Sequence, residues 1–127
     1  MINRIFMFVF LAALATSAAL PSALVIEADR AAIKTEGGPN AGAGCWNLWS
    51  NGRVGQTIRC ASAGKFQVVV RAWGSVAGGV WPEMALLVDG LSVQTVSVAG
   101  TNRADYRFET ELKAGVHEIA FRGFRGP

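Results

Sequence analysis

Asp105-Tyr106-Arg107-Phe108-Glu109-Thr110-Glu111-Leu112 is the stretch on which the fold class of this chain turns. Successive side chains of an extended strand point to opposite faces. Tyr106, Phe108, Thr110 and Leu112 therefore share one side, and Asp105, Arg107, Glu109 and Glu111 the other. One face is buried and one is wet, as in an antiparallel sheet that covers a core on one side only. Working outward, similar β-branched or aromatic runs occur at Leu24 to Asp29, Arg53 to Cys60, Lys65 to Trp73, Met84 to Asp89, Leu91 to Val98 and Val116 to Arg122. Seven short strands separated by Gly, Asn and Asp punctuation predict an all-β sandwich. No helical period is sustained beyond a turn near Asp29 to Lys34, and no internal repeat is present. Asp89-Gly90 and Ala114-Gly115 sit where the chain must reverse, since Gly accepts positive φ without a Cβ clash, and both read as hairpin connections. The Gly-rich stretches Gly37 to Gly44 and Gly74 to Gly79 read as surface loops.

The first 23 residues have a different character. Arg4 precedes an apolar run from Ile5 to Leu14 and a small-residue run from Ala15 to Ala23, the order found in a secretory signal peptide. The apolar part is short of the roughly 20 residues that span a bilayer. Cleavage after Ala19 or Ala23 is expected, with an uncleaved tether as the alternative. That places the protein outside the cytoplasm, secreted or periplasmic, with no membrane contact after cleavage. Residues 24–127 then form one compact domain. The chain carries 12 basic and 9 acidic residues. Removing Arg4 leaves 11 against 9, or +2, scattered without the dense basic run that binds nucleic acid. Cys45 and Cys60 both fall in the exported part, where oxidation is permitted, so a disulfide is expected. In the chain-entropy model a loop of that size contributes about 3 kcal/mol.

Glu27 and Asp29 lie two apart on the first strand and share a face, a beginning for a hard cation such as calcium. Calcium takes six to eight oxygens, so further ligands must come from elsewhere. The domain also holds four tryptophans. Trp46, Trp49 and Trp81 lie in or beside the Gly-rich loops, whereas Trp73 ends a strand and is assigned to the core with at least one of Trp46 and Trp49. An exposed indole can lie flat on the C–H face of a sugar ring, loses little conformational entropy and carries an N–H donor. Trp81, between Gly78-Gly79-Val80 and Pro82, is the best candidate for that task, with Glu83 beside it to accept sugar hydroxyl protons.

Catalytic readings fare poorly. The pairs Glu27/Asp29 and Glu109/Glu111 are each on one strand and do not face across a cleft, as glycosidase carboxylates do. Ser62, Ser75 and Ser97 lack a nucleophile elbow, and His117 alternates with Ile119 and Phe121 as a packed or capping residue does. Gly37-Gly38 and Gly42 to Gly44 lack the Lys and following helix of a phosphate loop.

Ile26-Glu27-Ala28-Asp29 is similar to the opening of calcium-containing β-sandwich carbohydrate-binding modules. Phe66 to Trp73 (FQVVVRAW), Gly78-Gly79, Trp81-Pro82-Glu83-Met84 and Val88-Asp89-Gly90 resemble the calcium-dependent xylan-binding module family. Asp105-Tyr106, Ala114-Gly115-Val116-His117 and Ile119-Ala120-Phe121 continue the resemblance in order. It implies a calcium-supported, jelly-roll-like sandwich that binds a plant-type polysaccharide such as xylan, with no catalytic residues of its own. It also implies Glu27 and Asp29 as calcium ligands. The family continues past this point with an Asn-Asp pair and further acids, where this chain reads Arg122-Gly123-Phe124-Arg125-Gly126-Pro127. The expectation is a module lacking its last strand, truncated at the C-terminus, with calcium bound only in a longer chain. Two further readings stand beside it: the N-terminal accessory piece of a larger secreted glycan-degrading enzyme with a C-terminal catalytic domain, and a protein-interaction sandwich.

Overall fold

The computed structural model describes residues 30–35, 52–76 and 78–123 in full, and the backbone of strands at 4–15, 22–27, 37–39, 46–49 and 124–125. These residues build two antiparallel sheets. One holds β1 (Arg4–Ala15), β2 (Ser22–Glu27), β4 (Gly37–Pro39), β5 (Trp46–Trp49), β7 (Gly64–Ser75) and β10 (Ala104–Leu112). Its order is β10-β7-β1-β5-β4, with β2 also paired to β1. The other holds β3 (Ile33–Lys34), β6 (Arg53–Cys60), β8 (Pro82–Val88), β9 (Leu91–Ser97) and β11 (Gly115–Arg125), in the order β3-β6-β11-β8-β9. The expected all-β sandwich is what these residues form.

The core lies between the sheets and follows the period-2 reading. From β7 come Phe66, Val68, Val70 and Ala72, and from β10 Phe108 and Leu112. The opposite sheet supplies Val54 and Ile58, Met84 and Leu86, and Ile119 and Phe121. Phe108 and Phe121 meet across the interface with ring centroids 5.4 Å apart and planes at 53°, the tilted arrangement that aromatic quadrupoles favour. On β10, Asp105, Arg107, Glu109 and Glu111 are exposed, so the alternation that suggested the fold holds residue by residue.

Residues 4–15 form strand β1, which pairs with β7 from Arg4↔Ser75 to Ala15↔Lys65 with one irregularity. Several expectations are corrected. Part of the Gly-rich stretch, residues 37–39, pairs as a strand with β5, because a strand flanked on one side can accept small residues. Ile33 and Lys34, inside the expected helical turn, pair with Gly55 and Val54. The Asp89-Gly90 turn does join a hairpin: Asp89 has φ 51° and Gly90 φ 83°, the double positive φ of a type I′ turn. Ala114-Gly115 does not. β10 pairs with β7 in one sheet and β11 with β6 and β8 in the other, so this turn carries the chain across the sandwich. A sequence of two strands and a short turn is the same in both cases; only the partners differ.

Candidate functional site

At one end of the sandwich the segments around residues 73–83 and 98–103 are tied together. Gly74 N donates to the Gly100 carbonyl at 2.8 Å and Val98 N to the Pro82 carbonyl at 2.9 Å. A Cβ on Gly74 would stand 2.8 Å from the Val98 oxygen and 3.0 Å from Pro82 Cγ, so the close approach of these segments requires glycine. Gly78 and Gly79 take φ of 60° and 76°, turning the chain so that Trp81 arrives half-buried immediately before β8. Pro82 is buried, and Glu83 stands half-buried on the outer face of β8, opposite to core-facing Met84. Trp81 and Glu83 thus lie close together where the chain enters β8.

Trp73 is not a core residue. On β7 the even positions face the core, and Trp73 shares the outer face with Lys65, Gln67, Val69 and Arg71, where it is half-buried beneath Arg103. The guanidinium lies 4.9 Å from the ring centroid. Asp105 accepts a hydrogen bond from Arg71 Nε at 2.9 Å on the same face. This pairing holds the Asp105 carboxyl below the usual carboxylate range. The outer-face position of Trp73 follows from its even spacing from Arg71 and Lys65, a signal that was present in the sequence.

The opposite end carries a polar clasp. Asp89 Oδ2 lies 2.7 Å from His117 Nδ1, and the Lys113 carbonyl lies 2.7 Å from His117 Nε2. Asp89 Oδ1 accepts from Glu118 N at 2.9 Å. A carbonyl cannot donate and an ionised carboxylate cannot either, so both ring nitrogens must donate and the ring is the imidazolium. Its pKa is raised, first by the Asp89 hydrogen bond and then by the Lys113 carbonyl. That of Asp89 is lowered by His117 and by the Glu118 amide. His117 is a structural fastener between the two turns, as its alternation with core residues suggested. Two open clefts flank this end and the middle of β7 and β10. One of about 450 Å³ is lined by Lys65, Glu111 and Lys113 among others, and one of about 240 Å³ by Lys65, Phe66, Gln67 and Glu109. Among the described residues that line them there is neither Trp81 nor Glu83, nor any other indole to stack on a sugar.

Trp46 and Trp49 lie on β5 rather than in a loop, with Trp46 paired to Met7 and Trp49 to Arg4. Glu27 ends β2, paired to Val9, while Asp29 lies outside the described residues. Among the described residues no group of three or more His, Cys, Asp or Glu could hold a metal ion, so these residues do not by themselves make the oxygen shell that calcium takes. The Cys45–Cys60 bridge is not formed: Cys60 is a free thiol facing the core, and Cys45 lies outside the described residues. Burial, and then the nearby Asp89 charge, push the pKa of Cys60 up.

Residues 67–122 match the family model CBM60, described as a Ca-dependent carbohydrate-binding module, xylan-binding. No curated protein matches the chain.

Proposed function

We propose that the central and C-terminal strands form a xylan-binding-type carbohydrate-binding module, and that this protein is exported and holds a plant-type polysaccharide at the rim formed by Trp81 and Glu83. The observation that carries the reading is the position of Trp81, half-exposed after two left-handed glycines within the family-matched segment and one residue ahead of a strand anchored in the core. The rigid strand fixes the direction of the rim. The indole supplies a flat apolar face, and Glu83 supplies acceptors for sugar hydroxyls. Such a module binds and does not cleave; its use is to keep an attached or co-exported glycan-degrading enzyme near its polymer, where local concentration replaces affinity. Calcium belongs to the reading through the family description, with Glu27 and Asp29 as the first ligands and the rest of the shell supplied from outside the described residues. Residues 1–23 serve as the leader.

The test is retention on insoluble xylan with calcium and with a chelator, for the natural protein and for Trp81→Ala. Retention should weaken about tenfold or more in the variant, as for a buried aromatic anchor, and should fall in chelator, with circular dichroism unchanged. Absence of retention in every condition would remove the carbohydrate reading. Undiminished binding by Trp81→Ala would move the site away from this rim.

A further inference from the structure

Among the strands described in full, β3, β9 and β10 stand at a sheet edge. Two of them are guarded. β3 has two residues, one of them Lys34, and β10 exposes Asp105, Arg107, Glu109 and Glu111 along its length. Shortness and charge are the devices that keep an edge from pairing with another chain. β9 has neither. Its seven residues, Leu91–Ser97 (LSVQTVS), include no charge, no proline and no glycine. It pairs with β8 on one side, and six of the seven residues are exposed, so the other side is open. Leu91 is 74% and Val93 44% exposed, two of the four large apolar side chains left outside the core among the described residues. The one irregularity in the strand leaves Val93 without a partner on β8, which adds twist but no charge.

An open edge offers N–H and C=O groups that any extended segment can meet, and the side chains decide which segment does. A charged segment finds no counter-charge on β9. A neutral segment rich in Val and Thr meets it without repulsion, and β9 is itself such a segment. Antiparallel to its own copy, it sets Val, Thr, Gln and Ser across from one another with no like charges opposed. β10 against its own copy would bring like charges face to face.

We propose that the chain forms a two-fold dimer in which β9 pairs antiparallel with β9 of a second copy, joining two five-stranded sheets into one. Like edge on like edge uses up both, so the assembly closes at two. The axis of such a pair stands perpendicular to the sheet, and both outer faces stay on the same side. Trp81 precedes β8, which runs antiparallel to β9, so the two Trp81 rims lie at opposite ends of one continuous face. On the carbohydrate reading above, on which this last consequence alone rests, one polymer chain is then held at two points and gains by avidity.

Sedimentation equilibrium of the full chain tests the dimer. The average mass should rise from one chain towards two between roughly 1 and 100 μM, and no further. Val93→Lys/Thr95→Lys should weaken association about tenfold or more by opposing ammonium groups across the axis, and Val93→Glu/Thr95→Glu should do the same with carboxylates. An equimolar mixture of the two variants should regain it, which a variant that had lost its fold does not do. Glu109→Lys, on the guarded edge, should associate as the natural chain does. A natural chain that stays monomeric, one that grows past two copies, or a mixture of the charged variants that stays apart would overturn the dimer. Retention on xylan reads the Trp81 rim separately, so either proposal can fail while the other stands.

Discussion

Asp89 is a non-glycine residue at positive φ, a conformation that costs free energy unless neighbours over-determine it. Here the carboxylate does so by joining His117 and the Glu118 amide. The raised pKa of His117 means its contribution is fully present below its ordinary value near 6.5 and is lost as pH rises through the higher folded value. The lowered pKa of Asp89 means its contribution is present above about 3.8 and is lost as pH falls through the lower folded value. Stability from the clasp is therefore greatest between those limits. Melting temperature should fall from pH 6 towards pH 9 in the natural protein. In Asp89→Asn, which keeps the type I′ turn because Asn tolerates positive φ, that fall should disappear; a slope unchanged by the substitution would show that the clasp does not titrate with folding. Cys60 offers a second residue-scale measurement. Its buried, high-pKa thiol should react with a thiol reagent only after denaturant is added, because the thiolate is the reactive species. Prompt labelling of Cys60 in the folded protein would contradict its placement.

At the scale of elements, the pairing of β6 with β11 depends on what is missing from Gly55. A Cβ there would lie 2.5 Å from the Ile119 oxygen and 2.6 Å from the Ala120 Cβ, contacts with backbone and a methyl that cannot swing away. Gly55→Ala should cost about 3 kcal/mol in urea unfolding, the upper range for overpacking. Gly100→Ala, with nothing within 4 Å of the added atom, should stay within about 0.5 kcal/mol of the natural protein. Equal effects of the two would mean that β6 and β11 are not so closely apposed. Of the strands from β6 onward, β7 and β10 were legible because they alternate against the core, whereas β9 is exposed along almost its whole length and β8 is buried on both faces, so those two were legible from composition and turns rather than from period. The expected loop Gly37 to Gly44 was not, since strand residues 37–39 carry no alternation and gain their order only from β5. The crossing at Ala114-Gly115 was hidden for a different reason: pairing partners are a tertiary fact, and the turn residues suit either path. In the candidate site, the entry of Trp81 and Glu83 into strand β8 was readable from Gly-Gly and Pro punctuation. The contacts of Trp73 with Arg103 and of Asp89 with His117 join residues about 30 apart, which no local pattern reports.

For the whole molecule, the tilted ring pair of Phe108 and Phe121 is a place where the two sheets grip each other, both almost fully buried. Phe121→Ala should cost about 3–5 kcal/mol, the range for an aromatic deleted from a core, and should weaken polymer retention only as far as it unfolds the protein. A second whole-molecule measurement concerns β1. It pairs with β7 along nearly its whole length, so a chain of residues 24–127 presents the β7 edge bare. That shorter chain should melt lower or self-associate more than the full chain when both are made without export, and identical behaviour would mean that β1 adds nothing to the sheet. The placement of β11 bears on time as well as on strength. It is the middle strand of its sheet, flanked by β6 and β8, yet it follows both in the chain. Neither neighbour can complete its hydrogen bonds until β11 has emerged, and the pairs it makes are far apart in sequence, the kind of topology that folds in milliseconds to seconds rather than microseconds. A chain built this way stays open while it is being made, and closes only once its last residues have arrived.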